Sequence, residues 1–170
     1  KGKPFVAYIQ TATNHMPFTV PDKKESFSPT LENEIDKKTL LKGGFRSLGQ
    51  LNGIRYLDFN VARFLKRAKA SGYYDNSIFV FFGDHRGGMK KLNFIKNNED
   101  ALGIQVHHVP LFIHSPRYAQ PKEITKYAKL IDIFPTATSL AKIDYDNYTL
   151  GRDLLDSTST DTAAFVYLQN

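Results

Sequence analysis

Ile78-Phe79-Val80-Phe81-Phe82-Gly83-Asp84-His85 is an unbroken apolar run that stops at a glycine and gives way at once to a carboxylate and an imidazole. Five consecutive apolar residues, β-branched or aromatic, suit a parallel strand covered on both faces. Upstream, Leu48, Leu51, Ile54, Leu57, Val61, Phe64, Leu65 and Ala68 recur every three or four positions, with Arg55, Arg63, Lys66 and Arg67 between them. That period predicts an amphipathic helix between Gly44 and Ser71, stopped by Gly72. Phe5 to Thr11 reads as a second short buried strand, bounded by Pro4 and by the polar turn Thr13-Asn14-His15-Met16-Pro17. Strand, long helix, strand in this order predicts a right-handed crossover unit. The expected fold class is α/β, a mostly parallel sheet flanked by helices.

Further from this centre the pattern is less regular. Residues 19 to 42 carry many charges with Pro21 and Pro29 and no clear period, and read as a surface loop with a short helical turn. Gly87 to Val106 is polar and basic, an excursion from the sheet. Pro110-Leu111-Phe112-Ile113-His114 is a further strand, stopped by Ser115-Pro116. Asp132 is placed to cap a helix through Ile143 whose first turn holds Pro135, where the missing N–H leaves no bond unmade. No internal repeat, low-complexity stretch or linker interrupts this, so one α/β domain, or part of one, is expected.

Composition excludes some classes of function. The 170 residues, 41% hydrophobic and 24% charged, are enough for one folded domain. The absence of cysteine removes disulfides, thiolate metal sites and a cysteine nucleophile, and leaves the redox compartment unread. The net charge of +6 favours an anionic partner or surface, but the basic residues fall in scattered pairs such as Lys37-Lys38, without an aromatic-interleaved stripe. No nucleic-acid partner is expected. No apolar run reaches the length of a membrane helix. The chain begins Lys1-Gly2-Lys3 and ends on the apolar run Ala163 to Leu168, so both ends read as cut from something longer.

In open α/β sheets, ligands bind beyond the carboxyl ends of the strands. Two polar turns qualify here, Thr13-Asn14-His15 and Gly83-Asp84-His85. Neighbouring side chains in a strand point to opposite faces, so Asp84 and His85 can share one ion only where the backbone has left the strand, as Gly83 permits. A carboxylate with an imidazole suits zinc or manganese better than magnesium or calcium. Two residues do not complete a catalytic zinc site, which takes three protein ligands and keeps a fourth position open. The plain alternative is a strand-end turn with Asp84 bonded to backbone and His85 exposed.

Phe82-Gly83-Asp84-His85 resembles the metal-binding stretch of sulfatases, phosphoethanolamine transferases and lipoteichoic acid synthases, in the alkaline phosphatase superfamily. Val109 to Pro116 resembles the strand that follows it in those families, Asp132-Ile133-Phe134-Pro135-Thr136 their next helix start, and Gly151-Arg152-Asp153-Leu154-Leu155 their later glycine turn. These elements keep the family's order over roughly residues 4 to 155. Thr13-Asn14-His15-Met16-Pro17-Phe18 resembles the histidine loop of the lipoteichoic acid synthase branch, which implies that His15 contacts the substrate's phosphate. His107 and His108, before Val109-Pro110, are candidates for metal or substrate contact if their loop folds back over the sheet. Otherwise one packs and one is solvated. His114 reads as a core or edge histidine. Arg86 stands where the family commonly has glycine, and either meets an anionic substrate or points outward.

The resemblance implies a carboxy-terminal part of a catalytic domain whose amino-terminal half lies outside these residues. That half would hold the Thr, Ser or formylglycine nucleophile and another acidic ligand. Thr11, Thr13, Ser115 and Thr136 lie in no recognisable nucleophile context, so no catalytic residue is assigned and the chain alone is expected to be inactive. It further implies one divalent metal held by Asp84 and His85, and an anionic phosphate- or sulfate-ester substrate, a lipid-linked one among the options. The location implied is the extracytoplasmic face of a membrane. Phosphoglycerol or phosphoethanolamine transfer is favoured by the Asn14-His15 loop. Sulfate-ester hydrolysis, and a non-catalytic module binding an anionic glycan, remain the alternatives.

Overall fold

In the computed structural model of the chain, the longest element is α2, Leu48–Ala70, preceded by the short helix α1, Lys37–Lys42. The structure describes residues 3–22, 25–86, 103–160 and 163–165. They divide into two units, those up to residue 66 and those from residue 67 onward. No helix among the described residues is long and apolar enough to cross a membrane.

The first unit is built on the amino-terminal part of α2. Asp36 starts α1 because its carboxylate accepts the Thr39 backbone N–H at 2.9 Å and the Thr39 hydroxyl at 2.6 Å, filling a donor that no helical carbonyl reaches. Apolar residues of α2 at helical spacing, Leu51, Ile54, Leu57 and Val61, are half-buried, and Phe64 is exposed. A second cluster forms on Phe27, whose ring lies 5.1 Å from Tyr56 and 5.5 Å from Phe59. Such aromatic pairs contribute about 0.5–1.5 kcal/mol beyond their buried area. The carboxamide of Asn52 accepts the Thr30 N–H at 2.8 Å and donates to the Thr30 carbonyl at 3.0 Å, which ties the segment after Phe27 to the helix.

In the second unit α2 ends at Ala70, and Gly72 just beyond it, with a φ of +76°, carries the chain away from the helix at no steric cost. A short 3-10 turn, Tyr74–Asn76, leads into β1, Phe79–Phe82. β1 pairs with β2, Leu111–His114, in the register Phe79↔His114 to Phe82↔Leu111. The buried Ser115 hydroxyl donates to the Ser77 carbonyl at 2.7 Å and pins one end of this pair. The last helix, α3, is Ile133–Ala141, with Pro135 buried in its first turn.

Three expectations are corrected. Phe5 to Thr11 forms no strand among the described residues, and Phe5, Val6, Tyr8 and Ile9 are 78, 89, 75 and 67% exposed. Strand propensity expresses itself only where a neighbouring strand supplies the ladder. The strand–helix–strand crossover is therefore absent from the described residues. The pairing that is described, β1 with β2, is antiparallel. An apolar run covered on two faces reads the same in either direction, and α/β sheets often carry an antiparallel strand. Asp132 stands before α3 but does not cap it. Its fully buried carboxylate accepts instead from the backbone N–H of Lys129 at 2.8 Å and of Arg152 at 3.0 Å. It joins the turn before α3 to the turn after it. Gly151 is obligatory there, because a Cβ would collide with the Ile131 carbonyl.

Candidate functional site

β1 ends at Phe82 and the chain turns at Gly83, whose missing side chain makes room for Val109. A Cβ at Gly83 would lie 3.0 Å from the Val109 Cβ. Two backbone bonds hold the turn against the segment entering β2. The Gly83 N–H donates to the Pro110 carbonyl at 3.1 Å, and the Arg86 N–H donates to the Val106 carbonyl at 2.8 Å. Asp84 and His85, between these bonds, are therefore fixed at the backbone while their side chains stay exposed, 72% and 59%.

The two side chains meet on one side of the turn. Asp84 Oδ1 accepts the His85 backbone N–H at 2.8 Å, and Oδ2 lies 3.7 Å from His85 Nε2. Two ligands of one tetrahedral ion, each bound at the usual zinc distance, sit about 3.4 Å apart. The pair fits a shared cation after a small side-chain rotation. His85 Nδ1 lies 3.4 Å from the Arg86 carbonyl. A carbonyl can only accept, so a proton on Nδ1 would be held there and the Nε2 lone pair left for an ion, the second-contact logic of metal-bound histidines. Among the described residues no group of three His, Cys, Asp or Glu is placed to hold a metal ion.

His107 closes the 3-10 turn Ile104–His107, and it and His108 are both exposed. The Val106 and Pro110 bonds bring the backbone of this segment alongside the Asp84-His85 turn, the fold-back that the sequence left open. The imidazoles do not complete a three-residue cation site with the pair. Arg86 is half-buried and anchored through its backbone. His114, exposed in β2, has Nε2 2.6 Å from the Tyr74 hydroxyl, an edge position.

His15 belongs to the first unit and is held by a turn of its own. Its N–H donates to the Ala12 carbonyl at 3.0 Å, and its carbonyl accepts from the Phe18 N–H at 2.7 Å. The ring is exposed, with Nδ1 2.9 Å from the Met16 carbonyl. That contact requires Nδ1 to carry a proton and leaves Nε2 as the nitrogen a ligand could meet. Beneath the turn, the Thr13 carbonyl rests on α2 at Gly53, where a Cβ would overlap the oxygen.

The fold is one already seen in solved proteins. A protein of the alkaline phosphatase superfamily from Vibrio parahaemolyticus superposes with a TM-score of 0.60 at 24% identity, over 88% of this chain and 31% of that one. The lipoteichoic acid synthase LtaP from Listeria monocytogenes does so with a TM-score of 0.62 at 25% identity, over 85% of this chain and 36% of that one. The architecture is thus that of a partial alkaline phosphatase-like α/β domain. The sulfatase family model matches residues 1–143, and the chain belongs to that family. Within it, the chain is 33% identical to lipoteichoic acid synthase 1 of Bacillus subtilis and 30% identical to the lipoteichoic acid synthase of Staphylococcus saprophyticus, over 96% of its own length in each case. It spans about a quarter of the length of these relatives (25% of each).

Proposed function

We propose that this chain is part of a metal-dependent transferase acting on an anionic phosphate ester, with phosphoglycerol or phosphoethanolamine as the transferred group. The carrying observation is the convergence of Asp84 Oδ2 and His85 Nε2 at 3.7 Å on a glycine turn in a sulfatase-family chain. An ion held by the pair would offset negative charge on the ester oxygens and favour ionisation of an attacking hydroxyl. The Asp84 carboxylate supplies the negative charge that retains the cation. The Arg86 carbonyl orients the His85 ring. His15, as an imidazolium, would donate from Nε2 to a substrate oxygen while Nδ1 stays bonded to Met16, adding charge stabilisation where it develops.

The nucleophile, a Thr or Ser, and the remaining ligands come from outside these residues. Its oxygen forms a bond to phosphorus as the ester's bond to its own alcohol breaks, and the hydroxyl proton leaves with that alcohol. An acceptor alcohol or water then takes the group in a second displacement. The donor is an anionic lipid at the extracytoplasmic face of a membrane. Sulfate-ester hydrolysis is the second reading, favoured by the family match itself. The product separates the two, inorganic sulfate in one case and a released lipid alcohol in the other.

Asp84→Ala and His85→Ala, each in the full-length protein carrying this chain, test the metal assignment by titration with Mn and Zn. Loss of a direct ligand should cost at least the roughly 100-fold that loss of a supporting contact can cost. Unchanged affinity in both variants would sink it.

A further inference from the structure

Gly53 lies inside α2, the sixth of its 23 residues, where glycine is the poorest helix former apart from proline and calls for a reason. The reason is visible in the first unit. A Cβ at Gly53 would overlap the Thr13 carbonyl oxygen, lie 3.2 Å from its carbon and come within 3.6 Å of the Asn14 Cα. One turn earlier on the same face, a Cβ at Gly49 would sit 3.7 Å from the Phe18 Cβ and 3.9 Å from its carbonyl, ordinary contact distances. The two glycines therefore lie under the two ends of the segment that carries His15. That segment closes on itself through the bonds from His15 N–H to Ala12 and from Phe18 N–H to His15, and it bends at Phe18 with a φ of 61°. Because these bonds make it a small unit, a push at Thr13 moves the imidazole with the backbone.

We infer that Gly53 is a positioning residue: the empty space at its Cα seats the Thr13 carbonyl on α2 and so sets the depth at which His15 is presented to an anionic ester. The inference rests on the reading of His15 as the substrate-contacting imidazole. Alanine at Gly53 must displace the Thr13 peptide, since the colliding atom is backbone and cannot rotate away. Alanine at Gly49 meets only ordinary contact. Both changes favour the helix, so helix propensity cannot explain a defect confined to Gly53.

The test uses the full-length protein and transfer of the headgroup from phosphatidylglycerol in mixed micelles. Gly53→Ala should lower kcat/KM by up to about 100-fold, mainly through KM, as displacements near 1 Å remote from the chemistry can. Metal affinity and melting temperature should hold. Gly49→Ala should match the parent, and Gly49→Val, pressing on Phe18, should fall between. In a His15→Ala background, Gly53→Ala should add nothing, because the imidazole it places is gone. If Gly53→Ala does not fold, Gly49→Val with and without His15→Ala carries the same comparison. A raised KM in His15→Ala beside a normal KM in folded Gly53→Ala overturns the inference alone. A defect in Gly53→Ala that persists in full without His15 does so too. A normal KM in His15→Ala removes the anion-contact reading and this inference with it.

Discussion

Two apolar runs in this chain, Phe5 to Ile9 and Phe79 to Phe82, each lead to a polar turn with a histidine, yet they are held in place by different means. The second is a strand, laddered to β2 and pinned at Ser115, and its turn inherits order from the ladder and from the bonds to Val106 and Pro110. The first has no ladder among the described residues, and its side chains face solvent. Its turn is ordered by hydrogen bonds within residues 12–18 and by a helix with no side chain at Gly53. Placing a functional loop thus needs a rigid surface beneath it and does not need a strand before it.

The largest test of that difference lies away from both turns, at Asp132. Its carboxylate is fully buried, accepts from Lys129 and Arg152, and stands 3.8 Å from the Arg152 Nε. Asp132→Ala removes the side-chain acceptor of two buried-turn backbone N–H groups and the carboxylate facing a largely buried guanidinium, a loss of about 3–5 kcal/mol. In urea with hydrogen exchange as the probe, the second unit should open first. The Gly83 and Arg86 amides should lose protection while those of His15 and Phe18 keep theirs. Loss of all four in one transition would mean that the two turns share a single support.

Ser115 gives a smaller and more local version. Ser115 is 3% exposed, and its hydroxyl donates to Ser77 and accepts from the Tyr118 N–H at 3.3 Å, so Ser115→Ala leaves a half-buried carbonyl and an amide short of a partner. About 1–3 kcal/mol should be lost. If the ladder orders the Asp84-His85 turn, and that turn holds the proposed ion, exchange at Gly83 should speed up and metal affinity should fall, with no change at His15. Faster exchange without a change in metal affinity would show that the turn is held from the Val106 side alone.

The sequence carried the elements better than their pairing. The three-and-four spacing from Leu48 to Ala68, the stop at Gly72 and the two short apolar runs after it are local signals, and α2, β1 and β2 appear where those signals lie. Strand direction is a relation between segments, so the run at Ile78 to Phe82 could not reveal an antiparallel partner. Asp132 had the identity of a helix cap, and only the fold could show its carboxylate turned to Lys129 and Arg152. At Asp84-His85 the residue types and the glycine before them were readable. What the chain could not show was that Val106 and Pro110 brace the turn from 20 and 27 residues further on. Gly53 did leave a trace, a glycine inside an otherwise strong helical pattern. Its meaning depended on a carbonyl 40 positions away.

The smallest effect separates the units by pH. Asp36 in the first unit and Asp156 in the second are both held below the usual carboxylate pKa by the same device, a threonine two or three residues on. For Asp36 the hydroxyl of Thr39 contributes most and its N–H next; for Asp156 the hydroxyl and N–H of Thr158 play those parts. A carboxyl with a depressed pKa in the folded state contributes its stability in full above the unfolded value of about 3.9. That contribution fades as pH falls below this value and is gone once the folded-state carboxyl is protonated. Asp36→Ala should therefore lower the urea midpoint of the first unit slightly at pH 7, and the gap from the parent should shrink on acidification. The Asp156→Ala gap should shrink over the same range in the second unit. A gap at Asp36 that stays constant down to pH 2 would mean that the α1 cap acts through the shape of the carboxyl and not through its charge.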